Sequence, residues 1–184
     1  MAHTNPIPTE TEPSTIRIPP SYLYALGNRL TSQQVDAFLD SPLRPSFFYG
    51  SLMFPKVISG VTHIADVDSI IKNMTPATLP GYRRFAIKWA EFPAVLPSDE
   101  PDDAVYGVLM FGLTETEKDR LLAYESGLYN VEATTVEIEL IDQTNRMLTA
   151  DVYVWNGPRD DLVVGMVWSV EKFLQGHSHN DRFQ

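Results

Sequence analysis

Cysteine is absent from this 184-residue chain. That excludes disulfides and thiolate metal sites, and a cytoplasmic location is the default expectation. Long apolar runs are missing too. None approaches the roughly 20 residues that a membrane-spanning helix requires. The first residues lack a basic stretch followed by an apolar core, so no secretory leader is expected. Positive charge is scarce: 14 Lys and Arg stand against 24 Asp and Glu, a net charge of −10. The longest basic cluster is Arg83-Arg84. Phosphate-binding surfaces carry basic patches, so neither nucleic acid nor an anionic membrane is expected as a partner. Glycine-rich phosphate loops and dinucleotide fingerprints are absent as well. Asp99, Glu100, Asp102 and Asp103 lack the spacing and the glycine of a calcium loop and read as a solvated turn. His177 and His179 sit in a polar tail and make a poor metal site.

The rest is ordinary globular material, 43% apolar and 21% charged. Residues 1–20 are rich in Pro and Thr and read as a disordered or loosely docked arm. Residues 21–184 are long enough for one domain with its own core.

The patterning alternates between helix and strand. "TSQQVDAFL" combines a Thr/Ser start with Val35, Phe38 and Leu39 at helical spacing. "SFFYG" reads as a strand. "FPKVISGVTHIADVDSIIKNM" reads as helical stretches broken at Gly60. "ATLPGYRRFAIKW" is β-like around a Pro-Gly turn, "PAVLP" is a short strand, and "AVYGVLMFGL" is a buried strand. Residues 114–125 form the clearest helix, with Thr114 and Glu117 as a capping box and Gly127 as the stop. "VEATTVEIELI" and "MLTADVYVW" form a hairpin across "DQTNR". Val131 and Ala133 have the opposite parity to Val136 and Ile138, which predicts a bulge. Leu162, Met166, Val167, Val170, Phe173 and Leu174 predict an apolar helical stripe. The whole is α+β, a small mixed sheet curled into an open barrel with flanking helices.

Two places invite chemistry. The stretch "FFYGSL" ends an apolar strand on Tyr49, Gly50 and Ser51 before Leu52. Such a turn suits close approach of backbone N–H groups to a ligand, and it also suits a plain strand end. Ser51 lacks a G-x-S-x-G context, so a covalent role is not indicated. The second place is Glu125, four residues after Leu121 and three after Leu122, in the last turn of its helix. Burial and the negative helix end would both raise its pKa, as a general acid/base needs. A frayed helix end would instead leave it solvated. Tyr129, past the stop, either returns over the same pocket or packs as a core tyrosine.

Taken together, "FFYGSLMFPKVI", "ATLPGYRRFAIKW", "FPAVLPS", "VYGVLMFGLTETEKDRLLAYESGLY" and "ADVYVWNG" resemble, in order and spacing, the gamma-glutamylcyclotransferase-like superfamily. The branch resembled is that of the avirulence-induced-gene-like proteins, over about residues 46–157. The resemblance implies a β-barrel with a cavity at one end and no metal or cofactor. It implies that Tyr49, Gly50, Ser51 and Leu52 form the loop that holds a γ-glutamyl group. It also implies Glu125 as the catalytic acid/base and Tyr129 as a substrate-binding tyrosine. The activity implied is conversion of a γ-glutamyl amine or amino acid to 5-oxoproline and a free amine. A non-catalytic ligand-binding module of the same fold is the alternative. The chain departs from the family pattern at three points. Leu122 replaces an Asp, Ser126 replaces a Gly with Gly127 one place late, and Asn130-Val131 stand where an Arg often follows.

Overall fold

Strand β7 (Asn145–Trp155) is buried on both faces at its end. Val152 and Val154 point into one apolar cluster, Tyr153 and Trp155 into another. A strand wet on one face would show clean alternation. This one is flanked by two cores, and the rest of the molecule is arranged about them. The computed structural model describes residues 17–163, 165–166 and 168–176. His177 and His179, and residues 1–16 of the arm, lie outside the described residues.

The first cluster is lined from five strands that form a barrel. These are β1 (Ser46–Phe48), β2 (Met74–Pro80), β5 (Ala104–Met110), β6 (Tyr129–Glu139) and β7, in the order β1-β5-β2-β6-β7. Phe47, Leu79, Leu109, Ile138 and Val152 each send a side chain into it. The α+β class is as expected, but the barrel is closed rather than open. β1 closes it, pairing antiparallel with β5 and parallel with β7. Such long-range pairing leaves no local mark in the sequence. A separate three-stranded sheet, β4-β3-β8, is built from β3 (Tyr82–Ile87), β4 (Ala90–Pro97) and β8 (Leu162–Val163). The Pro-Gly turn before β3 therefore joins two sheets. Gly81 there has φ +72°, which glycine adopts without strain.

The second cluster lies between the barrel and the helices. It includes Phe48, Val108, Met110 and Trp155 from strands, with Ala25, Ile58, Leu121 and Phe173 from helices. The helices are α1 (Pro20–Gly27), α2 (Ser32–Leu39), α3 (Pro55–Thr62), α4 (Val67–Lys72), α5 (Glu115–Tyr124) and α6 (Val170–Gly176). α2 and α5 both start with complete capping boxes, Thr31 with Gln34 and Thr114 with Glu117.

Three expectations fail for identifiable reasons. Gly60 does not break its helix; α3 runs through it and ends where His63 takes a left-handed conformation, φ 66°. The β6–β7 ladder runs from Tyr129↔Trp155 to Glu139↔Asn145 without a bulge. The parity change in β6 instead marks a switch of core. Tyr129 packs in the outer cluster and Val136 inside the barrel, with Val131 exposed between them. The C-terminal stripe is not one helix: Leu162 belongs to β8, Met166 is exposed, and only Val170, Phe173 and Leu174 are in α6. Val167 is not among the described residues.

Candidate active site

The chain leaves β1 through Tyr49 and Gly50 into a short 3-10 turn, Ser51–Met53, and then enters α3 at Pro55. The turn's first hydrogen bond runs from the Met53 N–H to the Gly50 carbonyl, 2.9 Å. The N–H groups of Ser51 and Leu52 precede it and have no partner within the turn. Gly50 has φ −132°, outside the left-handed region. It is needed for close packing: a Cβ there would lie 2.8 Å from Cδ of Pro93.

Pro93, on β4, also accepts a hydrogen bond at 2.8 Å from the hydroxyl of Tyr129, the first residue of β6. The Tyr49 hydroxyl donates to the carbonyl of Tyr153 on β7. These contacts enclose a cavity of about 220 Å³. Its lining includes Tyr49, Gly50, Ser51 and Leu52 from the turn, Glu125 from the end of α5, and Tyr129. Every candidate singled out in the sequence thus lines one space. Phe92, Pro93, Tyr124 and Tyr153 line it as well, and the sequence reading did not single them out. Tyr124 carried one usable signal, its position beside Glu125. Pro93 carried none, since it contributes a carbonyl and a ring edge.

Glu125 is the C-cap of α5. Of the two leucines expected beside it on the inner face, Leu121 is fully buried while Leu122 is exposed. The helix stops because Ser126 and Gly127 both take positive φ, 50° and 71°. The chain then turns back, with the Leu128 N–H donating to the Glu125 carbonyl at 3.2 Å. Glu125 is therefore held at an ordered helix end, half-buried rather than frayed. Burial pushes its pKa up to about 7. No hydrogen bond or ion pair engages its carboxylate among the described residues. Burial together with the Glu125 charge raises the pKa values of Tyr49, Tyr129 and Tyr153, so these three phenols stay protonated. At the mouth, the Ser51 and Tyr124 hydroxyls are 3.4 Å apart.

The orientation of α5 is fixed from two sides. The Lys118 ammonium lies 2.6 Å from Asp151 of β7, whose other oxygen is 2.6 Å from Arg44. Arg120 donates to the Thr62 carbonyl at the end of α3, 2.5 Å. Asp151 is held below the usual carboxylate range by these cations, against the opposing effect of its own burial.

Residues 46–170 match the family described as gamma-glutamyl cyclotransferase, AIG2-like. The chain belongs to this family. Among its relatives, AIG2-like protein D of Arabidopsis thaliana is 33% identical over 135 residues, covering 71% of this chain and 79% of that one. AIG2-like protein B of the same plant is 31% identical over 139 residues, covering 75% and 74%. A solution structure of an Arabidopsis thaliana protein aligns at TM-score 0.51 with 27% identity, covering 73% of this chain and 74% of that one. Among the described residues no cluster of His, Asp and Glu suited to a metal ion is present. No helix among them is long and apolar enough to cross a membrane.

Proposed function

We propose that this AIG2-like family member is a gamma-glutamylcyclotransferase, releasing 5-oxoproline and a free amine from a γ-glutamyl compound. The observation that carries this reading is Glu125, an unpaired carboxylate on the cavity wall with a pKa pushed up to about 7 by burial. A group of that pKa accepts and returns a proton with little loss either way at neutral pH.

The reaction is an internal acyl transfer. Glu125 takes a proton from the substrate's α-ammonium, and the free amine attacks the γ-carbonyl carbon. As the tetrahedral centre collapses, Glu125 returns the proton to the leaving nitrogen and the bond to it breaks. The attacking nitrogen still carries one proton more than a lactam holds, and it passes that proton through the Glu125 carboxylate to the released amine. The N–H groups of Ser51 and Leu52 suit the developing oxyanion or the α-carboxylate. Nucleophile and carbonyl belong to one molecule, so the cavity has chiefly to select the folded-back conformer. Tyr129 contributes its ring to the wall, because its proton is already given to Pro93. Among the described residues, the cavity lining includes no Lys, Arg or His. A leaving group that ends in a carboxylate finds no charge partner there, which favours a γ-glutamyl amine over a γ-glutamyl amino acid.

The test is to incubate the purified protein with γ-glutamyl amines, γ-glutamyl amino acids and glutathione, and to quantify 5-oxoproline by mass spectrometry. Product is expected from the wild type and not from Glu125→Gln. A Glu125→Gln variant with full activity would overturn the acid/base assignment. A second reading, a binding module without turnover, draws on Asn130 and Val131 replacing the family's arginine. It predicts saturable ligand binding by both proteins and no product from either.

A further inference from the structure

Arg84, on β3, carries a charge with no carboxylate partner among the described residues. Its guanidinium lies over the ring of Trp168, 5.5 Å from the centroid. A terminal nitrogen donates to the carbonyl of Tyr106. Nε is sealed from solvent and has no acceptor. Arg29, Arg44, Arg83 and Arg146 each have a carboxylate within ion-pairing distance, but among the described residues Arg84 has none. Desolvation pulls its pKa down to about 10, although the nearby phenols of Tyr49 and Tyr22 act the other way.

An unmet buried donor is costly, and a buried charge without a counter-charge costs more. An unsatisfied buried donor in a native fold calls for an explanation, and a bound ion or a functional role is among those known. Arg84 also lines a groove of about 440 Å³, separate in its lining from the cavity of Glu125. Its other walls are mostly apolar. Tyr106 is 74% exposed and Met166 49% exposed, so both present apolar surface along the groove. Arg83 and Asp103 also line the groove, but they pair with each other at 2.8 Å. One uncompensated positive charge is left.

We propose that this groove is a second binding site, for a small monocarboxylate with a flat apolar body. The carboxylate would meet the terminal nitrogens of the Arg84 guanidinium in a charge-assisted contact, beside the sealed Nε. The body would lie against Tyr106 and Met166. The single charge selects a monoanion, and the chain's overall charge of −10 disfavours polyanions.

The experiment is a titration of the full-length, nitrogen-15-labelled protein at constant ionic strength. It follows the Nε–H signal of Arg84 and the indole N–H of Trp168. The probes are benzoate, acetate, inorganic phosphate and chloride. Benzoate is expected to shift both signals saturably and to bind about tenfold or more tightly than acetate, while phosphate and chloride shift neither. Arg84→Gln should abolish the Trp168 shift, and Arg84→Lys should weaken binding while keeping the charge. The proposal falls if benzoate leaves both wild-type signals in place, if phosphate binds as tightly as benzoate, or if Arg84→Gln still responds. The wild-type titration decides even where a variant does not fold. Because nothing is read from 5-oxoproline formation, the result is independent of the proposed activity.

Discussion

Tyr129 and Pro93 are joined by a hydrogen bond from phenol to backbone carbonyl at 2.8 Å, and through it the start of β6 is fastened to the middle of β4. Removing the hydroxyl leaves that carbonyl without its described partner. Tyr129→Phe should therefore lose about 1–2 kcal/mol of stability, read as a lower urea midpoint with an unchanged slope. The ring remains as part of the cavity wall, so substrate turnover should survive at a raised KM. A variant as stable as wild type would show that the bond contributes nothing net.

The same proline sets the limit at Gly50. An added Cβ would come within 2.8 Å of Cδ and 3.0 Å of Cγ of a ring that cannot rotate away. Gly50→Ala should force a backbone shift and cost about 1–3 kcal/mol. The shift would displace the turn at Ser51 and Leu52, so activity should fall further than stability. Thermal unfolding and initial rates, measured on one preparation, separate the two effects.

Glu125 should give stability an acid-side signature opposite to that of a salt-bridged carboxylate. Its folded pKa, about 7, lies above the ordinary 4.5. Between those values the unfolded chain has already lost the proton that the folded chain keeps. Stability is therefore highest, as far as this group is concerned, below pH 4.5, and it falls as pH rises toward 7. The decline should be on the order of 3 kcal/mol and should be missing from Glu125→Gln. Denaturant unfolding at several pH values reads it directly. Matching pH dependence in the two proteins would mean that the carboxyl titrates normally.

Ser126 sits at φ 50°, a conformation that costs a residue with a Cβ about 1–2 kcal/mol. Ser126→Gly relieves that strain but loosens the unfolded chain, so the net gain should be about 0.5–1 kcal/mol. The family's glycine at this place thus has a conformational rationale in this chain's own backbone. A destabilised variant would show that the serine hydroxyl contributes more than the strain costs.

Local signals in the sequence translated into structure most directly. Thr114 with Glu117 specified the start of α5, because both partners of a capping box lie within four residues. Tyr49–Leu52, Glu125 and Tyr129 line one cavity. What the sequence concealed depends on distant partners. The bulge expected near Val131 rested on the assumption that each strand has one dry face. β6 serves two cores in succession, so its parity changes while its register does not. Propensity alone makes Gly60 a helix breaker, but Val57 and Ile58 are buried on the same helix and packing outweighs that cost. Leu162 fitted a helical stripe by spacing and is taken instead by β3, whose Ile87 it faces.

The parallel pairing of β1 with β7 has a consequence for synthesis. Tyr49 is made early, and the carbonyl that receives its hydroxyl belongs to Tyr153, 104 residues later. A nascent chain emerging from the ribosome has the turn, α5 and Glu125 long before it has the strand that closes the barrel. Until β7 arrives, the cavity has no Tyr153 wall and the barrel interior is open to water. A chain cut short after β6 is thus an incomplete container with its apolar lining exposed, a target for chaperones and proteases rather than a weakened enzyme.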